Sequence, residues 1–220
     1  FNNFDASNNP TFVRNRLNDQ TSDEFSIEYS TNFTKNFKKE DHKLTVDVAI
    51  SQNRENEDAT IYDQILGDTS TLTTEGTTNK NDQQRNLFQL DYVLPIGKNG
   101  RFEAGYRGSF QNNLTDFIVT PDNSDFSNKL EYVENVNALY TQYGSKINKF
   151  SYFFGLRFED SHIEVNSLSL NDYNTKKYNN LFPSATLNYE FSESSSLSLS
   201  YSKRINRPRG RFLNPVSSLS

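Results

Sequence analysis

The chain has 220 residues, of which 33% are hydrophobic and 14% aromatic, and its formal net charge at pH 7 is −5. The mild acidity argues against a nucleic-acid surface, which would be basic, and the aromatic content argues against a disordered chain. No apolar run approaches the roughly 18 residues of a membrane-spanning helix. Because the chain has no cysteine, a disulfide framework and a thiolate metal site are also excluded.

Apolar and polar residues alternate with a period of two along most of the chain, which is the signature of half-buried β-strands. In the first such segment, Phe25, Ile27 and Tyr29 alternate with polar residues, and aromatic and β-branched side chains favour strand structure. No segment has a helical period. In chain order, the eight predicted strands lie near 23–34, 43–52, 86–96, 101–111, 131–143, 150–163, 182–191 and 197–207.

The fifth predicted strand has the least regular alternation. We place Tyr132, Val136, Ala138 and Tyr140 on its apolar face. Glu134 has the same parity as these residues and is therefore the one charge that conflicts with an apolar face there.

The connections between the predicted strands alternate in length. Short hairpins rich in Gly, Asn and Ser alternate with long polar loops predicted at 53–85, 112–129 and 164–180, and residues 1–20 are expected to end another such loop. The predicted strands of about nine to twelve residues are longer than the ~5–6 residues typical of soluble sheets. They match the ~9–11 residues of a membrane-crossing strand.

These features predict an all-β fold, namely an antiparallel up-and-down transmembrane β-barrel of about eight strands. In such a barrel, short turns lie on one side of the membrane and longer loops on the other, and each strand has one face toward lipid and one toward a polar lumen. A soluble β-sandwich also shows alternation and is the alternative fold, but its strands are typically shorter.

The sequence does not indicate an enzyme. The adjacent carboxylates of Glu159 and Asp160 point to opposite faces of a strand and cannot act as an acid/base pair. His42 and His162 are too far apart in the sequence to form a metal signature. We therefore expect neither catalysis nor a metal or other cofactor.

The most specific pattern lies in the last forty residues. It consists of Phe182-Pro183-Ser184, Ser200-Tyr201-Ser202, Arg204-Ile205-Asn206-Arg207-Pro208 and Leu213-Asn214-Pro215. This combination resembles the outer-membrane β-barrels of TonB-dependent receptors of the type common in Bacteroidota, and residues 134–161 are also similar to that family. The residues that carry the resemblance are Phe182, Pro183, Tyr201, Pro208, Asn214 and Pro215.

The resemblance implies a large barrel, usually of about 22 strands, closed by an N-terminal plug and energised by a TonB complex of the inner membrane. The sequence has no plug-like region and no TonB box, so we interpret it as a middle section of the barrel wall. The expected location is the outer membrane of a Gram-negative cell. The implied partners are outer-membrane lipid, a plug domain, the TonB complex and a small-molecule, glycan or peptide substrate.

Four charged residues are candidates for the inner surface of such a barrel. Arg157 and Glu159 lie two apart on one strand face, which predicts a lumen ion pair that contacts a plug or substrate; a solvated strand face is the alternative. Arg204 and Arg207 are candidates for bracing the wall against the plug or for binding an anion, with a role in shaping the strand end as the alternative. Arg204 belongs on the polar face, because a lipid-facing arginine at the membrane midplane costs ~2–4 kcal/mol.

Two other functions fit the same pattern. One is a surface binding or adhesion β-protein whose loops recognise a glycan or a protein. The other is a self-contained eight-stranded outer-membrane barrel with ligand-binding loops, because eight strands suffice to close a barrel.

Overall fold

The computed structural model describes residues 2–4, 10–121 and 127–205, which form one antiparallel sheet whose spatial order is the chain order. Among these residues, one 3₁₀ helix, Thr69–Thr71, lies between two of the strands. No described segment forms a helix that is long and apolar enough to cross a membrane. The strands are β1 (Asn2–Phe4), β2 (Pro10–Asn36), β3 (Lys43–Ile65), β4 (Thr73–Ile96), β5 (Gly100–Thr120), β6 (Asn128–Ile147), β7 (Phe150–Ser167), β8 (Asp172–Ser192) and β9 (Ser195–Ser202).

The all-β, antiparallel, up-and-down architecture is confirmed. The eight predicted strands correspond in order to β2–β9, and the short β1 is additional. The last prediction, 197–207, was too long, because β9 ends at Ser202 and residues 203–205 have no regular structure; the remainder lies outside the described residues. Within the described residues, the sheet is open, with β1 and β9 at its two edges.

The three predicted long loops were wrong. Residues 53–85 are mostly strand, because β3 continues to Ile65 and β4 begins at Thr73. Most of the other two predicted loops likewise belongs to β5, β6, β7 and β8, and β2 begins within the expected N-terminal loop. Residues 53–58 and 73–85 of these outer extensions are polar or glycine at every position, so no apolar alternation marks them as strands. Strand pairing nevertheless continues, and it satisfies the backbone hydrogen-bonding groups.

One face of the sheet carries large apolar side chains that the rest of the chain leaves uncovered. Tyr29, Phe154 and Leu199 are 61%, 51% and 68% exposed. The opposite face is more enclosed, since Glu159 and Ser161 are only 7% and 1% exposed, so the sheet curves around its polar face. We call the first face the outward face and the second the inward face. The large apolar side chains form a band across the outward face, which we call the apolar belt. It consists of the outward residues of 25–33, 44–50, 88–94, 102–110, 139–147, 150–158, 181–191 and 197–201.

The apolar belt crosses the sheet at an angle. The row of cross-strand partners that begins at Phe25, the upper end of the belt on β2, reaches Tyr173 on β8, but the belt on β8 begins at Leu181. The shift along β8 from Tyr173 to Leu181 accumulates over the steps between neighbouring strands from β2 to β8. With a rise of ~3.3 Å per residue and ~4.8 Å between strands, it corresponds to a strand tilt of about 40°. Transmembrane barrels have tilts of roughly 35–45°.

The lower end of the belt, next to the short hairpins, is aromatic. The ring of Tyr152 lies 5.8–6.1 Å from the rings of Tyr143, Phe150 and Phe154. The two-residue connection between β6 and β7 is made possible by Asn148, which adopts a left-handed conformation with φ 54°. Aromatic residues at this position match the interfacial girdle of a membrane barrel.

The facing of β6 differs from the prediction. Tyr132, Val136, Ala138 and Tyr140 point inward, because Ala138 pairs with Glu159 and Tyr140 with Arg157, and directly opposed residues share a face. The same register removes the conflict at Glu134, which points inward and accepts a hydrogen bond of 3.1 Å from the Tyr132 hydroxyl. Apolar residues occur on both faces of β6, so only its pairing with β5 and β7 fixes the facing.

The ion pair at the outer end of β2 and β3 predicts a response to acid. Arg14 donates to both carboxylate oxygens of Asp63 at 2.6 and 2.5 Å, and this hydrogen bonding lowers the pKa of Asp63. A lowered folded-state pKa stabilises the fold above the unfolded value of ~3.9, and this contribution is lost as the pH falls through the lowered value. We expect a spin label at Leu17→Cys to be immobile from pH 7 to about 4 and to gain mobility below it.

Asp63→Asn is the control for that experiment. Because the variant lacks the ion pair, its spin label is expected to be mobile already at pH 7. The mobility of the label should still rise at low pH, since other carboxylates titrate, but by less than in the protein that keeps Asp63. A label that is equally immobile in both proteins at neutral pH would show that the ion pair does not hold this end of the sheet.

Candidate functional site

A groove of about 610 Å³ crosses the inward face from β4 to β9. It lies between two rows of cross-strand partners at the height of the apolar belt. We call it the inward groove. One row is Asp91, Gly105, Tyr140, Arg157 and Phe182, and the other is Glu103, Gln142, Gly155, Ser184 and Ser202.

Gly105 has no side chain, and the ring of Tyr140 occupies the space that this leaves at the centre of the inward groove. A Cβ atom at Gly105 would lie 2.6 Å from Cε2 of that ring, so the ring covers the bare backbone of β5. The Tyr140 hydroxyl thereby donates a hydrogen bond to Asp91 on β4, two strands away. Tyr140 therefore links its own strand, β6, to β5 through the packing of its ring and to β4 through its hydroxyl group.

The structure brings Arg157 and Glu159 together in this groove. The Nε atom of Arg157 donates to Oε1 of Glu159 at 2.6 Å, and the guanidinium carbon lies 5.7 Å from the centre of the Tyr140 ring. The Glu159 side chain is only 9% exposed, compared with 31% for Arg157. A buried carboxylate requires such a partner, and the more accessible guanidinium faces the groove.

Polar contacts continue the site across β4 and β5. Arg107 donates to the side-chain oxygen of Gln89 at 3.2 Å, and the amide nitrogen of Gln89 donates to Asp91 at 2.8 Å. Glu103 forms an ion pair with Arg101 and accepts a hydrogen bond from Gln142. The groove is therefore lined by charges of both signs that are already ordered by hydrogen bonds.

Sequence reasoning did not select Asp91, Glu103, Arg107 or Tyr140 as site residues. The first three lie on the polar parity of the predicted strands 86–96 and 101–111, which is the signal that places them inward. Only the pairing of β4 with β7 through β5 and β6 brings them close to Arg157.

The residues of the C-terminal motifs divide between the faces. Phe182 and Arg204 line the inward groove, whereas Pro183, opposite Leu156, and Tyr201, opposite Ala185 and 61% exposed, lie on the outward face. The predicted strand start at Phe182 was wrong, since β8 begins at Asp172. Arg207, Pro208, Asn214 and Pro215 lie outside the described residues.

Pro183 marks the point at which β8 and β9 stop pairing. Its carbonyl accepts a hydrogen bond of 3.2 Å from the backbone N–H of Lys203, and regular pairing ends at Ser184 and Ser202. A residue's N–H and C=O point to the same neighbouring strand, so the donor that proline lacks is missing only on the β9 side. A proline is tolerated in a sheet where no ladder bond is required of it.

The described residues contain no cluster of three or more His, Cys, Asp or Glu side chains that could hold a metal ion.

A family model, described as the outer membrane protein beta-barrel family, matches residues 35–220. The chain belongs to this family. Membership places the chain in the outer membrane, with lipid around the apolar belt. An apolar outward face and an inward groove lined by charged residues are the two faces expected of the wall of such a barrel.

Among solved structures, the chain is similar to the ferric citrate transporter FecA in its unliganded form, with 13% sequence identity and a TM-score of 0.48. The match covers 71% of this chain and 26% of the transporter chain, so this chain spans about a quarter of that protein's length. No curated protein matches the sequence.

Proposed function

We propose that this chain is a section of the wall of a transport barrel that takes up a nutrient or chelate across the outer membrane of a Gram-negative cell. The observation that carries the proposal is the inward groove, which is lined by charged side chains of both signs. The resemblance of the C-terminal motifs to TonB-dependent receptors supports an energised mechanism with a plug domain and a TonB complex as partners. We propose no enzymatic activity.

The groove suits a reversible contact with a polar solute or a polar protein surface. Arg157, Arg107 and Arg204 offer planar donors that pair with carboxylate or phosphate groups. Asp91 and Glu159 already accept hydrogen bonds within the wall, so a ligand does not have to order them. This preorganisation reduces the entropic cost of binding.

Uptake by the intact receptor tests the proposal. Cells that produce the full-length protein containing this chain are supplied with labelled iron chelates, oligosaccharides and peptides, with the TonB complex either present or deleted. We expect one class to accumulate inside the cell only when the complex is present. Label that stays at the cell surface would instead identify a binding or adhesion protein, and uptake that is independent of TonB would contradict the energised mechanism.

Arg157→Gln should reduce that uptake by about tenfold or more, because a charge-assisted hydrogen bond contributes roughly 1.5–3 kcal/mol. Arg85→Gln is the matched control. Arg85 also points inward, since it pairs with Ser51 and Gln111, but it lies above the groove. Equal effects of the two substitutions, at equal amounts of protein in the outer membrane, would show that the inward groove has no part in transport.

A further inference from the structure

A second groove, of about 580 Å³, lies on the outward face directly above the apolar belt. It runs across β2–β5 between two rows of outward side chains, with the backbone of Glu24, Glu55 and Asn81 as its floor. We call it the outward groove. Its walls are Asp23, Phe25, Arg54, Asn56, Lys80, Asp82, Leu114 and Asp116.

The position of this groove matches the boundary between lipid chains and headgroups. Phe25 is the uppermost outward residue of the belt on β2 and remains 58% exposed. Its cross-strand partner Arg54 is already polar and forms an ion pair of 3.1 Å with Asp82. Phe25 therefore places the lower edge of the outward groove in the apolar region, and the other residues that line the groove lie above that region.

The chemistry of the groove fits a hydroxyl-rich ligand better than a simple anion. Its outward side chains include two cations and three carboxylates, whereas an anionic lipid surface is matched by an excess of Lys and Arg. Asn56 has an unused hydrogen-bond acceptor. Its amide nitrogen donates to Asp58 at 2.9 Å, but its buried side-chain oxygen has no hydrogen-bond partner among the described residues. A hydroxyl group supplies the missing donor once the amide turns toward the groove.

A collar of similar chemistry continues around the sheet. On each of β2–β8, the first outward residue above the apolar belt is an asparagine, a glutamine or an aspartate. Carboxamides both donate and accept hydrogen bonds without carrying a charge, so they pair readily with hydroxyl groups. The polar collar consists of Asp23, Gln52, Asn86, Asn112, Asn137, Asp160 and Asn179.

We propose that the outward groove is a binding site for the sugar headgroup of a glycolipid in the outer leaflet. The exposed ring of Phe25 provides an apolar platform for one face of a sugar, Asn56 and Asp116 form hydrogen bonds with its hydroxyl groups, and Arg54 and Lys80 donate hydrogen bonds to any phosphate that it carries. The polar collar extends these contacts to neighbouring headgroups. The site is independent of the transport function, because it lies on the opposite face of the sheet from the inward groove.

Binding of a fluorescent lipopolysaccharide to the full-length protein, purified in a detergent without a sugar headgroup, tests the proposal. We expect saturable binding that the free phosphorylated disaccharide headgroup competes for and that phosphatidylglycerol vesicles do not. Phe25→Ala and Asn56→Ala should each weaken binding by about tenfold. Phe110→Ala is the matched control, because Phe110 is the uppermost belt residue of β5 but lies outside the groove.

Three results would overturn the proposal. The first is unchanged affinity in Phe25→Ala and Asn56→Ala, and the second is an equal loss in Phe110→Ala. The third is equal competition by phosphatidylglycerol, which would identify a general anionic-lipid surface instead of a sugar site.

Discussion

Replacing Phe154 with arginine is expected to lower the free energy of unfolding of the barrel by about 2–4 kcal/mol, the cost of a lipid-facing arginine near the membrane midplane. Phe154 lies in the middle of the outward residues of β7 and is 51% exposed in the isolated chain. The substitution places a charge in lipid that no neighbouring side chain compensates. Urea titration of the protein in lipid vesicles, followed by heat-dependent gel mobility, measures the change.

Phe153→Arg is the matched control for this prediction. Phe153 is the same residue type, one position earlier, and points inward because it pairs with Gly144 and Thr186. The new guanidinium then lies in a wet lumen, so only the packing of the ring is lost. A cost for Phe153→Arg equal to or larger than that for Phe154→Arg would contradict the assignment of the two faces.

Replacing Gly105 with alanine is expected to destabilise the barrel by about 1–3 kcal/mol, the usual penalty for overpacking. The new methyl group would occupy the space of the Tyr140 ring, with Cβ 2.6 Å from Cε2. The ring has to leave the surface of β5, and the hydrogen bond from its hydroxyl to Asp91 breaks with it. The same urea titration measures the effect.

Gly76→Ala shows whether that loss is specific to Gly105. Gly76 also lies within a strand, but the nearest atom to an added Cβ is 3.6 Å away, an ordinary contact. Alanine there should be neutral or slightly stabilising, because glycine within a strand carries an entropic cost. Tyr140→Phe separates the two parts of the Gly105 effect, since it removes the hydroxyl and keeps the ring. If Gly105→Ala is as mild as Gly76→Ala, the tyrosine does not depend on the glycine.

The strands inside the apolar belt were predictable because lipid and lumen impose opposite requirements on successive residues. The alternation in 150–158, for example, fixes both the strand and its facing. Outside the belt that constraint disappears. Residues 53–58 and 73–85 have no apolar side chain on either face, and their extended pairing shows only in the structure.

The facing of β6 and the assembly of the inward groove depend on contacts between distant residues. The segment around Ala138, Leu139 and Tyr140 is apolar at consecutive positions, so its sequence fits either register. The ion pair of Arg157 with Glu159 followed from their spacing of two. The contribution of Asp91 did not, because it requires Tyr140 to reach across β5 at Gly105.

A cysteine scan of residues 150–158 measures the facing of the wall most directly, and the chain has no native cysteine to interfere. Spin labels are attached one at a time to the protein in lipid vesicles, and their collision rates with oxygen and with a water-soluble nickel complex are compared. We expect a period of two, with labels at 150, 152, 154, 156 and 158 in lipid and labels at the positions between them in water. Uniform accessibility, or lipid contact at 153, 155 and 157, would contradict a barrel wall with an apolar outward face and a polar inward groove.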